Sequence, residues 1–165
     1  MTIRFYGIRG PHGFLSNSYH CRLTINEVSY ATIEHYIQAA KTLDPEVREH
    51  IRLAGTVGEA LRRGRSCRYR PDWEEPIGAP MGIDDQGSVI ELVKDRLMYS
   101  ALIAKFRAPE LSRRLLSTAP HDLIDVSPGA DYWGECRGYG KNKLGRMLQL
   151  LRAEQQPLEA VARLD

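Results

Sequence analysis

Glu34, Gln38 and Lys41 fall at i, i+4 and i+7 of the stretch Thr32 to Lys41. If the stretch is helical, that spacing lines a carboxylate, an amide and an amine along one edge. Such a row can do acid–base or ionic work on a bound ligand. It is also what a solvated helix edge looks like, with pairs contributing only about 0.2–0.5 kcal/mol each. The window alone leaves both readings open.

Four further groups have side chains that could meet a ligand. Gly13 to Asn17 offers backbone amides beside Ser16 and Asn17, an anion or sugar cradle or a plain polar turn. Asp72-Trp73 places an indole where it can stack on a base or fill a core. Asp125 to Gly134 has no regular period and carries Asp125, Asp131, Tyr132 and Trp133; irregular segments with such residues are disproportionately functional. Gly138 to Asn142 leads into a helix with Lys141 and Asn142 at its mouth, a phosphate-binding type of arrangement. Together the groups suit a ligand of purine or sugar-phosphate size.

The elements that must position them follow from the pattern. Ile3 to Tyr6 predicts a short strand. Cys21 to Ile25 and Val28 to Tyr30 predict a hairpin around Asn26-Glu27. Thr32 caps the helix just described, with Ile33, Ile37 and Ala40 as its core stripe. Pro45 opens a helix to about Ala54, and Thr56 caps another that Gly64 closes. Glu75 to Ser88, with three glycines and two prolines, predicts a long loop. Val89 to Phe106 predicts the longest helix, with Ile90, Val93, Leu97, Ala101 and Ala104 inward. Pro109 to Ser117 predicts a helix, Pro120 to Arg137 irregular chain, and Asn142 to Glu154 a helix that buries Leu144, Met147, Leu148 and Leu151. Pro157 begins a tail helix within 154–165. The expected fold class is α+β, predominantly α-helical, a compact single domain over 1–165 with a small N-terminal antiparallel sheet. Nothing alternates as strand and helix in the manner of a parallel doubly wound sheet.

Composition narrows the function classes. A net charge of +2 argues against a protein that coats duplex nucleic acid, although Arg62, Arg63, Arg65, Arg68 and Arg70 cluster locally. The cluster could meet phosphate or be a solvated helix end. Cys21, Cys67 and Cys136 are odd in number and far apart, which points to neither a zinc site nor a disulfide framework and suits a reducing compartment. No apolar run approaches the roughly 20 residues that cross a bilayer. The N-terminus lacks a signal-peptide layout. The expectation is a cytoplasmic protein, or a nuclear one in a eukaryote, with no membrane partner, no cofactor and no metal.

Six motifs in order resemble the NADAR family: GFLSN (Gly13 to Asn17), IEHYIQAAK (Ile33 to Lys41), DWE (Asp72 to Glu74), ALIAKF (Ala101 to Phe106), YWG (Tyr132 to Gly134) and GKNKLGRML (Gly140 to Leu148). The resemblance covers about residues 5 to 153. It implies an N-glycosidase that cuts at a ribose C1 carbon, either on phosphoribosylamino-pyrimidines or on ADP-ribosylated guanine in nucleic acid or nucleoside. It maps the catalytic carboxylate onto Glu34 and ligand-flanking tryptophans onto Trp73 and Trp133. It also implies a Schiff-base route in the ADP-ribosyl-guanine branch, for which Lys41 is the candidate amine and Lys105 its rival. Asp131 completes the catalytic set. Ser16, Asn17, Gln38, Lys105, Asp125, Tyr132, Gly134, Lys141 and Asn142 are expected at the substrate.

Two departures bear on the substrate. Riboflavin-type members resembling this chain carry an aspartate three residues before the tryptophan of the WG pair; here that place is Ala130, with Asp131 next to it. The segment 75–88 reads as an insertion that could rim the site. The favoured expectation is therefore hydrolysis of ADP-ribosylated guanine, with single-stranded nucleic acid as a transient partner. The alternatives are the riboflavin-pathway glycosidase and a binding module that holds ADP-ribose without cutting it.

Overall fold

The computed structural model describes residues 1–155. Local signals set the helix starts. Thr32 accepts a hydrogen bond from the His35 amide and opens α1, Ile33–Ala39. Asp44 Oδ1 accepts from the Glu46 and Val47 amides and Pro45 occupies the first turn of α2, Pro45–Arg52. Thr56 accepts from Glu59 and opens α3, Val57–Ser66. In each case a short polar side chain satisfies amides that the helix leaves without a partner.

Among the described residues, three two-stranded sheets accompany six α-helices and a 3₁₀ turn, Gly13–Leu15. β1, Thr2–Phe5, pairs in parallel with β6, Asp122–Asp125. β2, Leu23–Ile25, and β3, Val28–Tyr30, form the expected hairpin. Asn26 and Glu27 both take positive φ in its two-residue turn, the geometry whose twist matches the strands. β4, Pro76–Asp84, and β5, Gly87–Leu92, form a second antiparallel hairpin. α4, Val93–Lys105, packs against α1, β2, β5 and α6, Lys143–Glu154. Between α4 and β6 lies α5, Pro109–Leu116. The core gathers Leu15, Ile33, Ile37, Met98, Leu102, Leu123, Met147 and Leu148.

Several expectations need correction. The N-terminal strand belongs to a parallel pair, not an antiparallel sheet; its partner lies about 120 residues on, a separation that supplies the long crossover a parallel pair needs. That partner falls within 120–137, a stretch that reads as irregular because four residues are too few to show a period. Helix and strand are mixed rather than helix-dominated. The expected loop at 75–88 is mostly hairpin: its register shifts between Pro76 and Met81, the interval that contains Pro80, so the ladder does not depend on Pro80's missing N–H. The long helix accordingly begins at Val93 rather than Val89. Leu97 and Ala104 are only partly buried, while Met98, Tyr99 and Leu102 fill the interior. Gly64 lies inside α3 instead of ending it. The tail helix expected from Pro157 lies outside the described residues.

Candidate functional site

A cavity of about 450 Å³ opens where α1, α3 and the C-terminal ends of β1 and β6 converge. α1 supplies Glu34, Ile37, Gln38 and Lys41; α3 supplies Leu61 and Arg65. The chain after the 3₁₀ turn contributes Ser16, Asn17 and Ser18. The end of β6 and the loop beyond it contribute Asp125, Ser127 to Ala130 and Trp133. Trp73, Met98, Leu144, Phe5 and Tyr6 complete the wall.

Glu34 is partly buried in the first turn of α1. Its own amide donates to Asn17 O at 3.0 Å, which ties the helix start to the Ser16–Ser18 segment. Gln38 Nε2 donates to Glu34 Oε1 at 2.7 Å. Burial pushes the Glu34 carboxyl above the usual range. The Gln38 hydrogen bond and the charges of Lys41 and Arg65 oppose that rise, and the Asp125 charge adds to it.

Asp125 is the second carboxylate in the cavity and is only 5% exposed. Burial raises its pKa, against hydrogen bonds from the Ser127 hydroxyl at 2.5 Å and the Ser127 amide at 3.0 Å. The Asp125 charge disfavours ionisation of Glu34 as the smallest of these influences.

The arginine cluster divides into two groups. Arg63 pairs with Glu59 and Arg70 with Asp72. Arg62, Arg65 and Arg68 have no carboxylate partner among the described residues, and Arg65 faces the cavity. Lys41 is also without an acidic partner there and stands 5.1 Å from the Tyr69 ring centroid. Cations thus line the α1–α3 side beside Glu34, and Asp125 enters the cavity from the end of β6. Trp73 and Trp133 are braced edge-on by Tyr69 and Tyr132.

Of the residues expected at the site, the structure brings together Ser16, Asn17, Glu34, Gln38, Lys41, Trp73, Asp125 and Trp133. It places the others elsewhere. Asp131 is exposed and outside the wall. Lys105 is 2% exposed, and its Nζ donates to Ser16 O at 2.8 Å, behind the segment that lines the cavity. Burial depresses its pKa to about 8. Tyr132 hydrogen bonds to Asp95 at 2.7 Å, with Lys94 Nζ 3.6 Å and Lys141 Nζ 5.1 Å from its ring centroid. Gly134 lies under the loop, where a Cβ would come 2.5 Å from Asp125 O.

The expected phosphate mouth at the start of α6 is filled by the chain itself. The Lys143 and Leu144 amides donate to the Tyr132 and Trp133 carbonyls, at 3.3 and 2.8 Å. Asn142 uses its side chain on β6, accepting from the Asp125 amide at 3.1 Å and donating to Leu123 O at 2.8 Å. These bonds hold the end of β6 and the YWG turn against α6, and so aim Asp125 and Trp133.

Sequence reasoning missed Tyr6, Ser18, Arg65, Met98 and Ser127 as wall residues. Ser127 falls within the irregular segment already singled out, and Arg65 within the basic cluster. Tyr6 and Met98 carry no local signal, since only the tertiary fold brings them there. Among the described residues no group of three or more His, Cys, Asp or Glu could hold a metal ion, and no helix is long and apolar enough to cross a membrane.

Residues 4–156 match the NADAR domain family. The chain is 36% identical over 156 residues to the N-glycosidase YbiA of Escherichia coli strain K12, covering 92% of this chain and 87% of that one. An N-glycosidase of Nostoc punctiforme is 32% identical over 161 residues, with 93% and 92% covered. A riboflavin biosynthesis protein of Vibrio vulnificus is 30% identical over 158 residues, 93% of this chain but 38% of that longer one. The NMR structure of E. coli YbiA superposes with a TM-score of 0.76 at 34% identity, covering 99% of this chain and 88% of that one.

Proposed function

This chain belongs to the NADAR family and is an N-glycosidase, and on that premise we propose that it hydrolyses the ribose C1–N bond of ADP-ribosylated guanine, in nucleic acid or nucleoside, releasing ADP-ribose. The observation that carries this choice of substrate is Ala130. It lines the cavity at the place where riboflavin-type members carry an aspartate, while neighbouring Asp131 is exposed.

In this reading C1 lies over Glu34 and Asp125. As the C1–N bond breaks, its electron pair leaves on the base nitrogen, which takes up a proton, and positive charge develops across C1 and the ring oxygen. An anionic carboxylate in a desolvated wall stabilises that charge more than one in water does. Glu34 then takes a proton from the water that attacks C1. Trp73 and Trp133 supply flat faces for the base. Arg65 takes the phosphate end of the ligand.

Lys41 offers a covalent variant. The sugar ring opens with protonation of its ring oxygen, Lys41 Nζ adds to C1, the base leaves with its electron pair and a proton, and water hydrolyses the imine. What favours Lys41 over Lys105 is that Lys41 lines the cavity, whereas Lys105 is bonded to Ser16 O outside the wall.

A second reading is the riboflavin-pathway glycosidase acting on phosphoribosylamino-pyrimidines. The name of the Vibrio vulnificus relative favours it, as does Asp125, a buried carboxylate that could stand in for the one Ala130 lacks. Incubation with ADP-ribosylated single-stranded DNA and, separately, with a phosphoribosylamino-pyrimidine separates the two. Release of ADP-ribose from the DNA supports the first reading, and turnover of the pyrimidine alone reverses the ranking. Borohydride added during turnover should attach the sugar to Lys41 if the imine route operates.

A further inference from the structure

Gly64 occupies the last turns of α3, where that helix crosses α1, and it is buried. Helix propensity does not explain the choice, because glycine costs about 1 kcal/mol relative to alanine in a helix interior. A backbone argument fails as well: its φ is not positive. Space is what glycine provides here. A Cβ at position 64 would lie 2.7 Å from Gln38 Cβ and closer still to Gln38 Oε1.

Gln38 has little freedom to move aside. It is 5% exposed and wedged between the two helices. Its Nε2 donates to Glu34 Oε1, and its Oε1 is buried without a hydrogen-bond partner. That arrangement leaves a buried acceptor unsatisfied, so the bond to Glu34 does not by itself account for how the amide lies. The bare backbone of Gly64 lets the amide lie flat against α3 with its nitrogen facing the carboxylate.

We infer that Gly64 is a positioning residue for the N-glycosidase reaction, acting through Gln38 to orient Glu34. The inference rests on Glu34 being the acting carboxylate. A side chain at 64 pushes Gln38 off α3 and breaks the hydrogen bond that holds Glu34. Lys41 from α1, Arg65 from α3 and Asp125 from β6 also act on Glu34. The Gln38 hydrogen bond favours the ionised carboxylate. Its loss therefore moves the acid limb of the rate profile to higher pH.

The test is a double-mutant cycle on the full chain, read as kcat and its pH profile on whichever of the two substrates above the wild type cleaves. Gly64→Ala is expected to lower kcat about tenfold or more and to shift the acid limb upward, as is Gln38→Ala. In a Gln38→Gly background, which removes Cβ as well as the amide, Gly64→Ala should cost less than about twofold, since every Gln38 atom it would strike is gone. A Gly64→Ala protein that melts early but is restored by Gln38→Gly supports the same contact. Equal losses from Gly64→Ala in both backgrounds would overturn the inference, as would an unmoved acid limb in Gln38→Ala. Glu34→Gln separates the two failures. If it keeps full activity, the carboxylate assignment is wrong; if it is inactive while Gly64→Ala matches wild type, only the role of Gly64 falls.

Discussion

Lys143 Nζ lies 3.6 Å from Asp95 Oδ2 in the interior, with the two residues 1% and 0% exposed. Asp95 also accepts from Tyr132 OH and from the Glu91 and Leu92 amides, and Lys143 donates to Val89 O and Glu91. The pair joins β5, α4, α6 and the YWG turn at one point. Lys143→Met leaves the buried Asp95 carboxylate without its cation and should destabilise by about 3–5 kcal/mol. Tyr132→Phe removes one donor and should cost about 1–3 kcal/mol. Denaturant unfolding measures both. Trp133 is the next residue in the chain, so Tyr132→Phe should also raise KM.

Glu34 is expected to set the acid limb of activity. Its carboxyl is raised by burial, so the rate should fall, as pH drops, at a pH above the ordinary glutamate range. Glu34→Gln should lower kcat by about 10²–10⁴. The same raised pKa has a stability consequence. The folded state binds the Glu34 proton more tightly than the unfolded chain does, so Glu34 weighs against folding at neutral pH. Glu34→Gln should melt higher than wild type at pH 7. That gain should vanish as pH falls through the raised value to the ordinary one.

Lys105 predicts an alkaline effect of opposite sign. Its folded pKa of about 8 lies below the ordinary 10.5, so between those values the unfolded chain holds the extra proton. Stability contributed by this group should therefore rise from about pH 8 to about pH 10.5. Tyrosines and cysteines with raised pKa values oppose it in the same window, so the comparison to make is wild type against Lys105→Met. The variant should lack the rising component in melting temperature measured across that window.

Arg65 provides a test of ligand polarity. Arg65→Ala should raise KM at least about tenfold for a phosphate-bearing substrate, through loss of a charge-assisted hydrogen bond, with a smaller change in kcat. A phosphate-free nucleoside should be affected little. An equal loss on both substrates would place the phosphate elsewhere.

What the sequence made legible was local. The α1 row could be read because cap, core stripe and polar edge all fall within ten residues of Thr32. The β2–β3 turn was legible because Asn26-Glu27 signals it directly. The β4–β5 hairpin was not, because its glycines and prolines argue for a loop until the bulge that tolerates them is seen. Lys105 and Asn142 looked like ligand contacts because a polar residue in a motif carries the same letter whether it meets substrate or braces the backbone. Their burial against Ser16, Leu123 and Asp125 makes the difference. Gly64 looked like a helix stop, since a glycine chosen for space against a distant side chain has no signature along the chain.

The β1–β6 pairing has a consequence for when the enzyme becomes competent. Thr2 waits for Asp122 before it has a strand to join, and the cavity wall draws on residues from Phe5 to Leu144. The β2–β3 hairpin and α1 to α3 can close over short chain distances, whereas the seam that brings Asp125 to the cavity closes over nearly the whole domain. During synthesis, a nascent chain carries Glu34 well before Asp125, the second carboxylate of the cavity, has been made. Premature termination between Lys41 and Asp122 would yield fragments that contain Glu34, Gln38 and Lys41 but no Asp125 and no glycosidase activity.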